Sequence, residues 1–357
     1  MPVRVFDFFS GCGGTSAGLQ AAGCEIILGL DNDRDSAATF RHNFPNASFI
    51  ERDIREVEVE DLAPFVDAHA DVHKLFCGCA PCQPFSSQNK QRGILDQRSD
   101  LLTRFGYFVE HFTPEFVLVE NVPGIQRIEN EGPLTEFVAM LERLGYEATV
   151  QIVDFKDYGV PQRRRRLVLL ASLVGVVPFP IQSHGPGRRN PRFSTVADWI
   201  ADLPPVAAGE THPEIPNHQA ASLTAINLQR LLATPEGGDR RNWPADLILP
   251  CHSNAYNGHT DVYGRMRWQE PAGSLTTRCH SISNGRFGHP EQNRAITVRE
   301  AACLQTFPRT FIFCGGIQST ARQVGNAVPV LMARHFGEAL VTHIELQVQT
   351  QAGNGDI

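Results

Sequence analysis

The sequence predicts an α/β fold built on a doubly wound, mostly parallel sheet, with a smaller loop-rich domain attached. Three observations carry this. Short apolar runs alternate with amphipathic segments through the first half. A glycine-rich turn, "SGCGG", separates the first apolar run from the first amphipathic one. After about residue 180 the texture changes to Pro, Gly, His, Asn and Arg with little periodicity. Alternating strands and helices of this kind form a sheet with helices on both faces, and ligands sit at the carboxyl ends of its strands.

The elements follow in order. Residues 3–9 read as a buried strand and 15–23 as a helix stopped by Gly23. Residues 25–31 form a second strand ending in Asp31, and 34–44 a helix closed by Pro45. Strands are expected at 74–78 and 116–121, with a helix near 100–112 between them. "PLTEFVAMLERLGY" (133–146) has Pro at its start and Gly near its end, the asymmetry expected of a helix. "EATVQIVD" and "RRLVLLAS" complete the sheet. Further helices are expected near 194–204, 297–307 and 322–346, the last folding back on the first domain. The boundaries implied are 1–182 for the first domain, 183–310 for the loop-rich domain with a hinge, 311–345 for a returning segment and 346–357 for a flexible tail.

The chain has 357 residues, 42% of them hydrophobic and 20% charged, as in soluble globular proteins. It has no apolar run near the roughly 20 residues that cross a bilayer, so no membrane partner is expected. Nine cysteines, an odd number and scattered, suit a reducing compartment better than a disulfide framework. Net charge is −7, which gives no whole-chain signal for nucleic acid, yet arginines cluster at 162–166, 187–192 and 239–241.

Several motifs could carry chemistry. The turn at 10–14 lets backbone amides and a helix N-terminus approach a nucleotide-like ligand, although it matches neither the dinucleotide fingerprint nor a P-loop. Asp31 stands where an acid meets ribose hydroxyls, or caps the helix that follows. "FCGCAPCQPFSSQ" (76–88) holds Cys77, Cys79 and Cys82. The C-x-x-C spacing lacks the second pair that a structural zinc site requires, so no metal is assigned. Cys77 reads as strand packing. Cys82, just past the strand end, is placed to react if positive charge lowers its pKa. Glu120 ends the neighbouring strand as a candidate proton donor, with Asn121 beside it to orient the loop. Arg164 and Arg166 alternate on an extended segment and could point together toward a thiolate.

Six of these segments, in this order, resemble the DNA (cytosine-5)-methyltransferases of the bacterial modification type: "DFFSGCGG", "GCAPCQPFS", "ENVPG", "PQRRRR", "TVREAACLQTFP" and "QVGNAVPV". The resemblance implies the class I fold of S-adenosylmethionine-dependent methyltransferases, with 183–310 as a target-recognition domain. It implies Cys82 as the nucleophile that adds to cytosine C6, Glu120 as the group at N3 and the exocyclic amine, and Arg164 and Arg166 as the motif arginines, with Arg166 near O2. For S-adenosylmethionine it implies Phe9, Gly11, Gly13, Asp31, Asn32, Asp53, Ile54, Pro81, Leu101, Asn326 and Ala327. Asn32 stands where many relatives carry an aromatic or bulky residue. Base flipping is implied, with Ser87, Gln88 and Lys90 on a closing loop, and Arg240, Arg241 and Arg286 as candidate DNA contacts. Arg265, Arg267 and Arg278 fall in a framework-like segment. The implied partners are double-stranded DNA and a restriction endonuclease, for a monomer in a prokaryotic cytoplasm acting at the nucleoid. Two alternatives remain: a tRNA cytosine-5 methyltransferase, whose late Cys-Phe-Thr signature is absent here, and an inactive DNA-binding regulator.

Overall fold

The computed structural model describes residues 2–80, 100–123, 132–250 and 261–353. The chain divides into two compact units. The first holds residues 1–154, 165–181 and 328–357, and the second holds 155–164 and 182–327.

Unit 1 contains a seven-stranded sheet. Its strands are β1 (Arg4–Phe8), β2 (Glu25–Asp31), β3 (Ser48–Glu51), β4 (Lys74–Gly78), β5 (Phe116–Asn121), β6 (Glu147–Asp154) and β7 (Arg165–Ser172). The order is β3-β2-β1-β4-β5-β7-β6. The pairs from β3 to β5 are parallel, while β7 runs antiparallel to both β5 and β6. Strand order reverses between β1 and β4, so their carboxyl ends form the switch point where such sheets hold ligands. Helices α1 (Gly14–Ala21), α2 (Arg34–Asn43), α3 (Val59–Asp67), α4 (Asp100–Phe112), α5 (Pro133–Arg143) and α10 (Val330–Gly353) belong to this unit.

The core of unit 1 is aromatic. Phe8 meets Phe76, Phe105 and Phe108 at ring-centroid distances of 5.1, 5.2 and 5.7 Å. The last two come from the apolar face of α4, whose Leu101 and Leu102 join the same cluster. Helix α1 lies very close to α10: a Cβ on Gly18 would stand 2.3 Å from the Val330 carbonyl oxygen. Only a residue without a side chain permits that approach.

Unit 2 has little regular structure: α6 (Val196–Ile200), α7 (Ala225–Leu232), α8 (Val298–Leu304), α9 (Ile317–Asn326) and several 3₁₀ turns. Irregular backbone leaves carbonyls without ladder partners, and buried carbonyls need donors. Arginine supplies them. Arg265 donates to the carbonyls of Leu231, Thr234, His289 and Gln292. Arg299 donates to those of Pro216, Pro308 and Phe311.

Three expectations need correction. The segment 322–346 is not one helix: α9 ends at Asn326 and α10 starts at Val330. Pro329 has no N–H to continue α9 and disfavours helical backbone at Val328, and Ala327 is extended at ψ 146°. The break also coincides with the boundary between the units, so 311–327 belong to unit 2. The tail expected from 346 is helical as far as Gly353.

Candidate active site

The glycine-rich turn is built by backbone constraints. Phe9 and Gly11 take positive φ, 59° and 51°, and Gly13 follows at 92°. A Cβ on Gly13 would lie 2.4 Å from the Phe44 ring. A phenylalanine in the left-handed region is costly, and such strain persists where surroundings over-determine it. Here Ser10 N donates to Leu30 O at 3.0 Å and Gly11 N to Asp31 Oδ2 at 2.9 Å. Asp31 Oδ1 accepts from Asp33 N at 2.9 Å. The acid at the end of β2 thus holds the turn after β1. Burial raises the Asp31 pKa, against hydrogen bonds that lower it.

Helix α1 begins directly behind this turn, and Gly13 offers its first amides no side-chain cap. A Cβ on Gly11 would meet nothing within 4 Å, so there is open space beside the turn. Uncapped amides, a half-buried acid and open space together fit a nucleoside bearing a carboxylate, as S-adenosylmethionine does.

Asp53 follows β3 and caps a 3₁₀ turn over Ile54–Glu56. Its carboxylate is forked by Arg55, with Nε on Oδ1 at 2.9 Å and Nη2 on Oδ2 at 2.6 Å. Asn32 also hydrogen-bonds it. The Arg55 bond is the largest cause holding the Asp53 pKa below the usual carboxylate range, against some burial. Ile54 and Leu101 are buried in the core of unit 1.

At the ends of β4 and β5 the side chains converge. Arg166 Nε stands 2.8 Å from Glu120 Oε1, with side chains 15% and 13% exposed. The contact is a charge pair without hydrogen-bond alignment, since that oxygen has no aligned donor. Asn121 is buried. Its Nδ2 donates to Ala80 O at 3.4 Å and its Oδ1 accepts from Val122 N at 2.7 Å. It therefore ties the end of β5 to the chain that leads toward Cys82. Cys77 and Cys79 are free thiols. Cys79 lies 3.7 Å from Thr15 Oγ1. Burial first, and Glu120 second among the causes, drive its pKa far upward, which favours the thiol over the thiolate. Among the described residues no three His, Cys, Asp or Glu side chains converge as a metal site would require.

Arg164 and Arg166 have different partners. Arg164 belongs to unit 2 and is buried there, with Nη1 on Leu275 O at 3.1 Å and both Nη atoms on Gly325 O at 3.3 Å. Next to it, Gln162 accepts from Leu275 N at 2.8 Å and donates to Gln305 Oε1 at 2.9 Å. Gln305 in turn donates to Val324 O and Ala327 O. Four separated segments of unit 2 meet in this network, which holds Ala327 in place; Asn326 is exposed at the end of α9. Sequence reasoning missed this network and the Asn32–Asp53 bond, because amide-to-carbonyl contacts leave no spacing pattern.

Pro81, Cys82, Ser87, Gln88 and Lys90 lie outside the described residues. In unit 2, Arg240 is buried, and Arg286 donates to the carbonyls of Gly237, Gly238 and Arg265. Arg241 is exposed.

Comparison with known proteins shows the family. The family model described as C-5 cytosine-specific DNA methylase matches residues 3–342. The chain is 37% identical over 346 residues to the Type II methylase M.HgiDII of Herpetosiphon aurantiacus, covering 96% of each. It is 32% identical to the Type II methyltransferase M1.HphI of Haemophilus parahaemolyticus, over 96% of this chain and 87% of that one. A crystal structure described as a DNA modification methyltransferase encoded within an Escherichia coli prophage shares the fold. Its TM-score is 0.73 at 21% identity, over 96% of this chain and 99% of that one. A structure of Spodoptera frugiperda DNMT2 gives a TM-score of 0.62 at 15% identity, over 95% and 99%. The uncapped turn after β1 and the Glu120–Arg166 pair between β5 and β7 thus sit in a chain that belongs, over nearly its whole length, to the C-5 cytosine-specific DNA methylase family, an enzyme class with Type II restriction–modification relatives.

Proposed function

We propose that this methyltransferase modifies cytosine at C5 within a short duplex site, through a covalent adduct between Cys82 and C6 of a flipped base. The observation that carries the reading is the Glu120–Arg166 pair, two largely buried opposite charges 2.8 Å apart at the sheet edge. A pair in that position can exchange its mutual contact for the N3 and O2 edge of a pyrimidine. Asn121, through its bond to Ala80 O, supports the approach of the segment bearing Cys82.

In this reading the Cys82 thiolate adds to C6 and the C5–C6 π electrons move to C5 as Glu120 gives a proton to N3. Bound S-adenosylmethionine supplies the electrophilic methyl group that C5 takes. Loss of the C5 proton to a base then drives β-elimination, which restores the double bond and releases the thiolate. Gly11, Gly13 and the α1 amides would receive the cofactor's carboxylate, Asp31 its ribose hydroxyls, and Asn32, Asp53 and Ile54 its adenine. The Arg55 fork on Asp53 would then have to share or yield one oxygen. Phe9, Pro81, Leu101, Asn326 and Ala327 would line the same site, and Ser87, Gln88 and Lys90 would close on DNA. Arg164 would act from its carbonyl cradle as a positioning residue. We place the enzyme in the cytoplasm, acting as a monomer beside a cognate restriction endonuclease. The Type II relatives support the pairing, and no helix among the described residues is long and apolar enough to cross a membrane.

The test is methyl transfer from tritiated S-adenosylmethionine to duplex DNA and, separately, to tRNA. Label is expected in duplex DNA, and label confined to tRNA, or none, would overturn the reading. A duplex carrying 5-fluorocytosine, which has no C5 proton to lose, should trap a protein–DNA adduct that survives denaturation. Cys82→Ser should abolish the adduct, and Glu120→Gln should slow transfer about 10²- to 10⁴-fold.

A further inference from the structure

Unit 2 contains a cleft of about 320 Å³ whose lining includes Gly237, Arg241, Arg267, Glu270, Gly273 and Arg286. Its arginines differ in how they are held. Arg286 is half-buried and its donors are spent inward: Nη1 is taken by three backbone carbonyls, and Nη2 reaches Asp239 Oδ2 at 3.2 Å. Asp239 is buried, with its side chain 3% exposed, and it also accepts from Arg241 N at 3.1 Å. Arg241 is the outer partner of the same carboxylate. Its Nε donates to Oδ1 at 2.8 Å and its Nη2 to Oδ2 at 2.7 Å, yet its side chain is 71% exposed.

The chemistry of that fork leaves one edge of the guanidinium. Nε and one Nη2 hydrogen are spent on Asp239. Among the described residues Arg241 makes no hydrogen bond to any other side chain. The outer Nη1–Nη2 edge therefore presents two parallel N–H donors, on a plane fixed from beneath by a buried acid and by Arg286. A group oriented in advance loses little rotamer freedom when it binds. Asp239, together with Asp261 at 3.5 Å from Arg286 Nε, offsets the charges of Arg241 and Arg286, which weakens attraction for a phosphate and leaves two directed donors. That combination suits a neutral edge with two adjacent acceptors, which in the major groove is guanine O6 and N7.

We infer that Arg241, braced by Asp239 and Arg286, reads a guanine of the target site, and that Arg286 itself reads none. This rests on the proposed action on duplex DNA. The acid that braces the reader stays ionised: its hydrogen bond from Arg241, opposed by burial and helped by Arg286, holds the Asp239 pKa down to about 2.

The experiment uses the full chain. Bisulfite sequencing of genomic DNA methylated by wild-type protein gives the site. Duplexes bearing that site are then made with 7-deazaguanine at one guanine at a time, which removes N7 alone. Wild type should lose activity at one position, and Arg241→Ala should be insensitive to the same replacement. Arg241→Ala should lower methylation of the natural site about 5- to 150-fold and relax the choice of base there. Arg241→Lys keeps the charge and loses the fork, so it should behave like Arg241→Ala, with S-adenosylmethionine affinity unchanged in both. A phosphate contact would instead be rescued by Lys, and its loss would weaken all sequences alike and lower the salt slope by about one. That result, or a site with no guanine whose replacement couples to Arg241, overturns the inference while leaving the methyltransferase reading intact. Absence of any duplex methylation by wild type overturns both.

Discussion

The two units solve the problem of burial in opposite ways. Unit 1 buries phenylalanines between a regular sheet and its helices, where backbone polar groups already pair with one another. Unit 2 has few ladders, and every arginine buried among the described residues lies in it: Arg164, Arg230, Arg240, Arg265, Arg294 and Arg299. A guanidinium offers five donors in one plane, so one side chain can satisfy carbonyls from several strands of irregular chain. The lesson is that a loop-rich unit can be rigid when its carbonyls are satisfied from within, and a rigid unit can hold an exposed side chain such as Arg241 in place.

The largest expected effects come from cutting each kind of core. Phe76→Ala in unit 1 removes a ring that packs on Phe6, Phe8 and Phe112, and should cost about 3–5 kcal/mol. Arg294→Met in unit 2 should cost about as much for a different reason. Arg294 is fully buried and forks Glu300 with two bonds of 2.7 Å, so its loss leaves a buried carboxylate unpaired. The two causes separate on adding Glu300→Gln. Neutralising the stranded acid should recover a large part of the Arg294→Met loss, with strong coupling in a double-mutant cycle. It should recover nothing for Phe76→Ala. All three tryptophans, Trp199, Trp243 and Trp268, lie in unit 2. Their fluorescence during urea unfolding therefore follows that unit, while far-UV circular dichroism follows both. Failure of Glu300→Gln to rescue would mean that Arg294 acts through packing and its bonds to the Val206 and Ala295 carbonyls rather than through the ion pair.

A smaller effect uses pH, and its sign differs between the units. Asp7 is buried in β1, with Ser16 Oγ donating to it at 2.6 Å. Burial, opposed by that bond and aided by the Asp31 charge, raises its pKa from 3.8 to about 7. Between those values the unfolded chain has released a proton that the folded chain keeps. Asp7 therefore adds stability at low pH and loses it as pH rises from about 4 to 7. His289 in unit 2 does the reverse. Burial lowers its pKa from 6.5 to about 4, even though Glu300 raises it. Its Nδ1 accepts from the N–H groups of Glu291 and Gln292 and cannot take a proton without losing both. The unfolded chain thus protonates first on acidification, and unit 2 weakens from about pH 6.5 down to 4. Asp7→Asn should raise the midpoint at pH 7.5 and leave it unchanged at pH 4. His289→Asn, whose Oδ1 can still accept those bonds, should flatten the acid slope seen by tryptophan fluorescence. If both variants changed the same limb of the pH profile, the opposition between the units would fail.

The same division explains what could be read from the sequence. The expected strands and helices of unit 1 were legible because burial imposes periods of 2 and 3.6 on residue choice. Two of its elements were not. β3 is four residues of mostly half-buried chain, and α3 carries Pro64 inside it, which reads as a breaker. The positions of the turn after β1 and of Glu120 at the end of β5 were legible because strand ends fall at fixed offsets from apolar runs. The partners of Arg164 were not legible: carbonyls of Leu275 and Gly325 hold it, more than a hundred residues away in sequence. A backbone carbonyl is present at every residue, so the acceptor of a buried arginine has no signature in the sequence. Arg240, Arg241 and Arg286 were indistinguishable there for that reason.

The smallest effect concerns helix caps, where the units differ in reach. Asp33 caps α2 in unit 1 by accepting from Ser36 N at 2.9 Å. Thr195 caps α6 in unit 2, in a reciprocal box with Asp198. Asp33→Ala and Thr195→Ala should each cost about 0.5–2 kcal/mol globally. Hydrogen exchange should nevertheless tell them apart. Helix α2 has ten residues, with Ala37, Thr39 and Phe40 buried, so the loss should fray its first turn only. Helix α6 has five residues, too few to propagate without a fixed start. Exchange should speed up across all of α6, although Val196 and Ile200 anchor it. Exchange confined to the first amides of α6 would show that apolar anchoring governs short helices in unit 2, which would make that unit more like unit 1 than its buried arginines imply.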